Sequence, residues 1–187
     1  MGNDLLRDIA TRHGVVIDPF IIDYDRMFAA SGTIALPHRP ALRKAYRLVE
    51  LARWSERRGV PLNAQPAHYR GEVEEPDEAL AARMVTAAKA AGADSLRLGH
   101  AISRALWAEE RFPFTPEELV AIADTEGLDG DALLANADSD ATRDLYEAQT
   151  VHSIARGVFG MPFYIYDDEP FWGQDRLELL EAKIAGT

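Results

Sequence analysis

The residues that invite chemistry lie near the C-terminus. Gln174 and Asp175 stand where a final helix opens, just after Gly173 breaks the preceding run. A helix N-terminus turns unpaired N–H groups toward a carboxylate, while an aspartate beside it attracts an ammonium. Asp175 also suits the plain role of an N-cap, and the two roles are compatible. Upstream, Met161-Pro162 follows Gly160 and precedes an aromatic run, a tight turn from which a strand can start.

Other chemistries find little support. The histidines at 13, 38, 68, 100 and 152 form no HxH or HExxH pair, so no metal site is expected. There is no phosphate loop, no GxGxxG and no GxSxG. The acidic pairs Glu74-Glu75, Glu109-Glu110 and Glu117-Glu118 sit at loops or helix ends and read as caps and solvated charge. The chain has no cysteine, which excludes a disulfide framework, a CxxC redox pair and thiolate metal ligation.

The elements that must position Met161 and Asp175 follow from pattern and punctuation. Gly157 ends a long helical run as a left-handed glycine would. Phe163 to Tyr166 reads as a strand, Asp167-Asp168 as a hairpin turn, and Glu169 to Trp172 as the return strand. Asp175 then caps a helix through Ala185. At the other end, Asn3 caps a helix from Asp4 to His13, closed by Gly14. Val15-Val16-Ile17 starts a strand reaching Phe20 or Ile22, and Tyr24 to Pro40 reads as irregular.

A helical block occupies residues 41–156. Its helices run from Ala41 to Arg58, Asp77 to Ala91, Ser95 to Glu110, Pro116 to Gly127, Asp129 to Ala137, and Ser139 or Asp140 to Arg156. Thr115-Pro116-Glu117-Glu118 is a strong start signal. Trp54, Tyr69 and Trp107 are expected where this block meets the sheet, as packing residues rather than substrate contacts.

With 187 residues and 47% hydrophobic content, the chain can build a proper core. Its net charge of −11 argues against a nucleic-acid footprint or an anionic membrane surface. No stretch is apolar for long enough to span a bilayer, no signal-peptide pattern opens the chain, and a cytoplasmic location is expected.

The run GVFGMPFYIYDDEPFWGQDRLELLE closely resembles the C-terminal signature of the 2-hydroxychromene-2-carboxylate isomerase family. That family belongs with kappa-class glutathione transferases in the thioredoxin-like superfamily. YRLVELARWSERRGVPL, from Tyr46 to Leu62, and Trp107 on its helix are similar to the family as well. The resemblance implies an α/β chain: a thioredoxin-like domain from residues 1–40 and 157–187, interrupted by an inserted α-helical domain at 41–156. It implies glutathione as cofactor, a small aromatic carboxylate as substrate, and a homodimer. It assigns Met161 and Pro162 to a cis peptide whose flanking backbone pairs with the cysteinyl part of glutathione. Gln174 and Asp175 would bind the γ-glutamyl end. Arg43 falls where the family carries a lysine near the ligand; Arg39 or Lys44 serves as well, and a solvated helix face is the plain alternative. Thr33 falls near a family asparagine, and His38 lies in a loop expected to face the site.

The family's first strand and its catalytic serine have no counterpart here. By comparison they would fall just before Met1, so the sheet is expected to have a missing or atypical first strand; the chain is expected to begin late, the alternatives being a strand supplied by a partner chain or a sheet rearranged around the gap. The expected activity is glutathione-dependent cis–trans isomerisation in aromatic catabolism. The alternatives are a kappa-like transferase or peroxidase, or a non-catalytic member that binds glutathione or a partner.

Overall fold

The computed structural model describes residues 1–72, 78–111 and 115–187. The chain divides into two compact units. One comprises Met1–Asp18, Tyr24–Val60 and His152–Thr187; the other comprises Pro19–Asp23 and Pro61–Val151.

The first unit opens with helices α1 (Asn3–His13), α2 (Tyr24–Ser31) and α3 (Ala41–Arg58), the last matching its expected bounds. Asn3 is not the cap of α1. It lies inside the helix, and Gly2 takes the cap position. Nor is Tyr24 to Pro40 all irregular: Tyr24, Met27 and Phe28 recur at helical spacing, Met27 is fully buried, and the segment winds into α2.

The second unit holds α4 (Glu78–Ala90), α5 (Ser95–Trp107), α6 (Pro116–Thr125) and α7 (Gly130–Asn136), and most of α8 (Asp140–Ala155). The expected start of α4 at Asp77 lies outside the described residues. Side-chain caps fix three of these helices. Asp94 accepts from the Arg97 N–H at 2.9 Å, Thr115 from Glu118 at 3.2 Å, and Asp129 from Ala132 at 2.9 Å. Helix α4 packs on α5 and α7, and α6 packs on both as well. Met84, Leu98, Leu119, Ile122 and Leu133 fill the resulting core among buried alanines.

The expected strand from Val15 to Phe20 or Ile22 does not form. A strand needs a ladder, and here the backbone donors go elsewhere. The Ile21 N–H donates to Gln149 Oε1 and the Asp23 N–H to Thr150 Oγ1, both at 3.0 Å, on α8. The Lys89 ammonium donates to the Pro19 carbonyl at 2.6 Å and lies 4.4 Å from the centre of the Phe20 ring. Side chains thus take the backbone groups that a ladder would have paired.

The chain then re-enters the first unit. Gly157 takes φ 76° after α8, as expected. Strands β1 (Phe163–Tyr166) and β2 (Glu169–Trp172) form an antiparallel hairpin pairing Phe163 with Trp172 and Tyr166 with Glu169. Asp167 and Asp168 both have positive φ, 51° and 61°, the demand of a two-residue turn that suits the strand twist. Helix α9 (Leu177–Ala185) closes the chain. It packs against α1, burying Ile9, Phe171, Leu177 and Leu180 together.

Candidate functional site

The hairpin brings its two ends together. At the open end the Gly173 N–H donates to the Pro162 carbonyl at 2.9 Å. That bond sets the Met161-Pro162 turn beside Gln174 and Asp175. The Met161-Pro162 peptide is cis. Met161 is half exposed, and its own N–H and C=O take no partner among the described residues. Gly173 has φ 100° and ψ 148°, a region that only glycine occupies without strain.

Asp175 does not cap α9. Gln174–Arg176 instead forms a 3-10 turn, and α9 starts at Leu177 without a side-chain cap. The reason is the preceding glycine: its backbone tightens the entry, and the Arg176 N–H bonds back to the Gly173 carbonyl at 3.1 Å. The Asp175 carboxylate faces Arg176 at 2.5 Å as an ion pair.

Arg58 was not legible as a site residue. It is the last residue of α3, where a cation usually complements the helix dipole in solvent. Yet its side chain is only 13% exposed. Its Nε donates to Gln174 Oε1 and its Nη2 to the Gln174 carbonyl, both at 3.2 Å. Its Nη1 lies 2.9 Å from Glu178 Oε1. The guanidinium sits 5.2 Å from the centre of the Trp54 ring, within cation–π range. Trp54 therefore packs against Arg58.

The structure does not join the other expected residues to this turn. Arg43 stands exposed in the first turn of α3, with no hydrogen bond or ion pair to Met161, Gln174 or Asp175. Arg39 donates to the Ile34 carbonyl at 2.9 Å and Lys44 to that of Pro37 at 3.4 Å, so both brace the loop before α3. His38 is exposed. Thr33 has a nearer role: its hydroxyl donates to the Phe159 carbonyl at 2.8 Å, two residues before Met161. In the other unit, Tyr69 lies 4.3 Å from the His68 ring and 5.4 Å from Trp107, an aromatic group of its own.

Electrostatics around the turn favour a neutral phenol and a charged acid. Burial pushes the Tyr164 hydroxyl up to about 12, with the Arg58 charge opposing and the Asp175 charge adding. Tyr164 therefore stays protonated across ordinary pH. For Glu178, burial works against ionisation. The hydrogen bond from Arg58, a backbone N–H and the charges of Arg58 and Arg57 outweigh it and hold the carboxyl below its usual value. No cluster of three or more histidine, aspartate or glutamate side chains among the described residues could hold a metal ion.

Residues 3–185 match the model of the DsbA-like thioredoxin domain. The 2-hydroxychromene-2-carboxylate isomerase of Sphingobium xenophagum is 32% identical over 191 residues, spanning 96% of this chain and 88% of that protein. The chain belongs to the 2-hydroxychromene-2-carboxylate isomerase family. Another relative in that family, from Pseudomonas sp. (strain C18), is 30% identical over 190 residues, covering all of this chain and 84% of its own length. A solved 2-hydroxychromene-2-carboxylate isomerase superposes with a TM-score of 0.78 at 27% identity, over 99% of this chain and 87% of that one. The α/β, thioredoxin-like architecture with its helical insertion thus holds, although the only sheet among the described residues has two strands. The chain has no cysteine, so it has no thiol of its own for disulfide chemistry.

Proposed function

We propose that this chain is a glutathione-dependent isomerase acting on a small aromatic carboxylate of the 2-hydroxychromene-2-carboxylate type. The observation that carries the reading is the Gly173–Pro162 hydrogen bond, which sets the Met161 backbone, unpaired among the described residues, beside the Gln174–Asp175 turn. The names of the relatives support the reaction.

The residues present fit the tripeptide. The Met161 N–H and C=O can pair with the backbone of an extended ligand, as an added strand does. Gln174 can donate to the ligand's γ-glutamyl carboxylate. One oxygen of Asp175 is engaged by Arg176, and the carboxylate as a whole still attracts the neighbouring ammonium. Bound glutathione would supply a thiolate nucleophile for reversible addition to the conjugated substrate. This chain's part is to bind and orient it, since no thiol of its own exists.

The test is an absorbance assay of isomerisation with and without glutathione. Turnover that appears only with glutathione, and a KM for glutathione raised about tenfold in Asp175→Asn, is expected from loss of a charge-assisted contact. Turnover independent of glutathione overturns the cofactor assignment. Glutathione conjugation of simple electrophiles without isomerisation overturns the reaction assignment and points to a transferase.

A further inference from the structure

We infer that Arg58 is a positioning residue that selects the rotamer of the Gln174 carboxamide and so turns its NH2 group toward the ligand. The inference rests on the glutathione reading above.

A guanidinium can only donate. The Gln174 oxygen must therefore face Arg58 Nε, and the Gln174 nitrogen must face away. Two of the three Arg58 nitrogens serve this one residue, through side chain and backbone together. The third pairs with Glu178, whose side chain is 51% exposed, and a pair so wet contributes little. Trp54 covers the guanidinium and limits its swing. Arg58 is thus nearly buried for the sake of a neutral amide.

A γ-glutamyl α-carboxylate is an acceptor. Left to itself, a glutamine side chain would offer such a group its oxygen as readily as its nitrogen, and oxygen against oxygen is repulsive. Fixing the amide from behind removes that wrong state before the ligand arrives, which is preorganisation. Lysine at position 58 would keep the charge but has no planar fork with which to hold a side-chain and a backbone oxygen at once.

The experiment combines calorimetry with the 15N–1H signals of the Gln174 side-chain amide. The probes are glutathione and its γ-aminobutyryl analogue, which lacks the α-carboxylate. In Arg58→Lys the Gln174 NH2 signals should become mobile, and glutathione affinity should fall about tenfold, as should that of Gln174→Ala, with no further loss in the double variant. Affinity for the analogue should be the same in all of them. Gln174→Glu supplies the variant that a purely structural role would not predict. It strengthens the bond to Arg58 and so should be at least as stable as the parent, yet it replaces the donor with an acceptor and should bind glutathione about tenfold more weakly. The inference is overturned if Arg58→Lys keeps both the amide signals and the affinity, or if Gln174→Glu binds as the parent does. If the parent chain itself binds no glutathione, the cofactor assignment falls. The amide signals then decide the positioning role alone: rigid in the parent and mobile in Arg58→Lys supports it, and no difference overturns it.

Discussion

The two units stabilise themselves by different means. In the unit of Pro19–Asp23 and Pro61–Val151, short helices pack closely because Ala81, Ala87, Ala88, Ala105, Ala123 and Ala137 let their backbones approach. Large side chains such as Leu98 and Leu119 fill the remaining space. In the other unit the buried cluster under the hairpin is Ile9, Phe171, Leu177 and Leu180. The site turn is held from the side by polar groups: Arg58 on Gln174, Thr33 on Phe159, and Gly173 on Pro162. Burial carries the alanine-lined unit. Directional hydrogen bonds carry the turn of the other unit that holds the candidate site.

This difference yields a graded series of expected outcomes. The largest belongs to the alanine-lined core. Leu119→Ala should lower the stability of α4 to α7 by about 2–5 kcal/mol, read by native-state hydrogen exchange of their amides. A change below 1 kcal/mol would contradict a burial-driven unit. Next comes the turn. Gly173→Ala forces a non-glycine residue into a region that costs on the order of 1–3 kcal/mol, and a Cβ there would also strike the Asp175 carboxylate. Glutathione binding should fall by more than the stability alone explains, because Gly173 joins the two halves of the site. Equal binding would break the link between that glycine and the ligand.

A cap should matter less. Asp94→Ala removes the acceptor for the Arg97 N–H and should cost α5 about 1 kcal/mol by thermal or urea unfolding. The smallest effect concerns the tie between α1 and α9. Hydrogen bonds from Arg12 and His13 hold the Glu181 carboxyl below its usual value. A lowered carboxyl stabilises the fold above the unfolded value of 4.5 and loses that contribution as pH falls through the folded value. Urea midpoints of the parent and Glu181→Gln should therefore differ slightly at neutral pH and converge on acidification. A gap that widens in acid would reverse the sign and refute the assignment.

The same contrast explains what the sequence made legible. The helix of the alanine-rich unit that starts at Pro116 announced itself through Thr115-Pro116-Glu117-Glu118, because a cap is local chemistry. The hairpin was legible for a similar reason: Phe163 to Tyr166 is aromatic and β-branched, and Asp167-Asp168 tolerates positive φ. The turn before α9 was misread because an aspartate near a helix start looks like a cap, while Gly173 imposes a 3-10 entry. The strand at Val15 was misread because its fate depends on Gln149 and Thr150, far along the chain. Arg58 stayed hidden for the same cause: its partner is Gln174, and no local pattern records that pairing.

The most direct measurement is a glutathione titration followed by backbone 15N–1H NMR. Shifts concentrated at Met161, Phe163 and Gly173 to Asp175 are the result the account predicts. A titration that leaves those signals in place, or that moves only residues of α4 to α7, would contradict it.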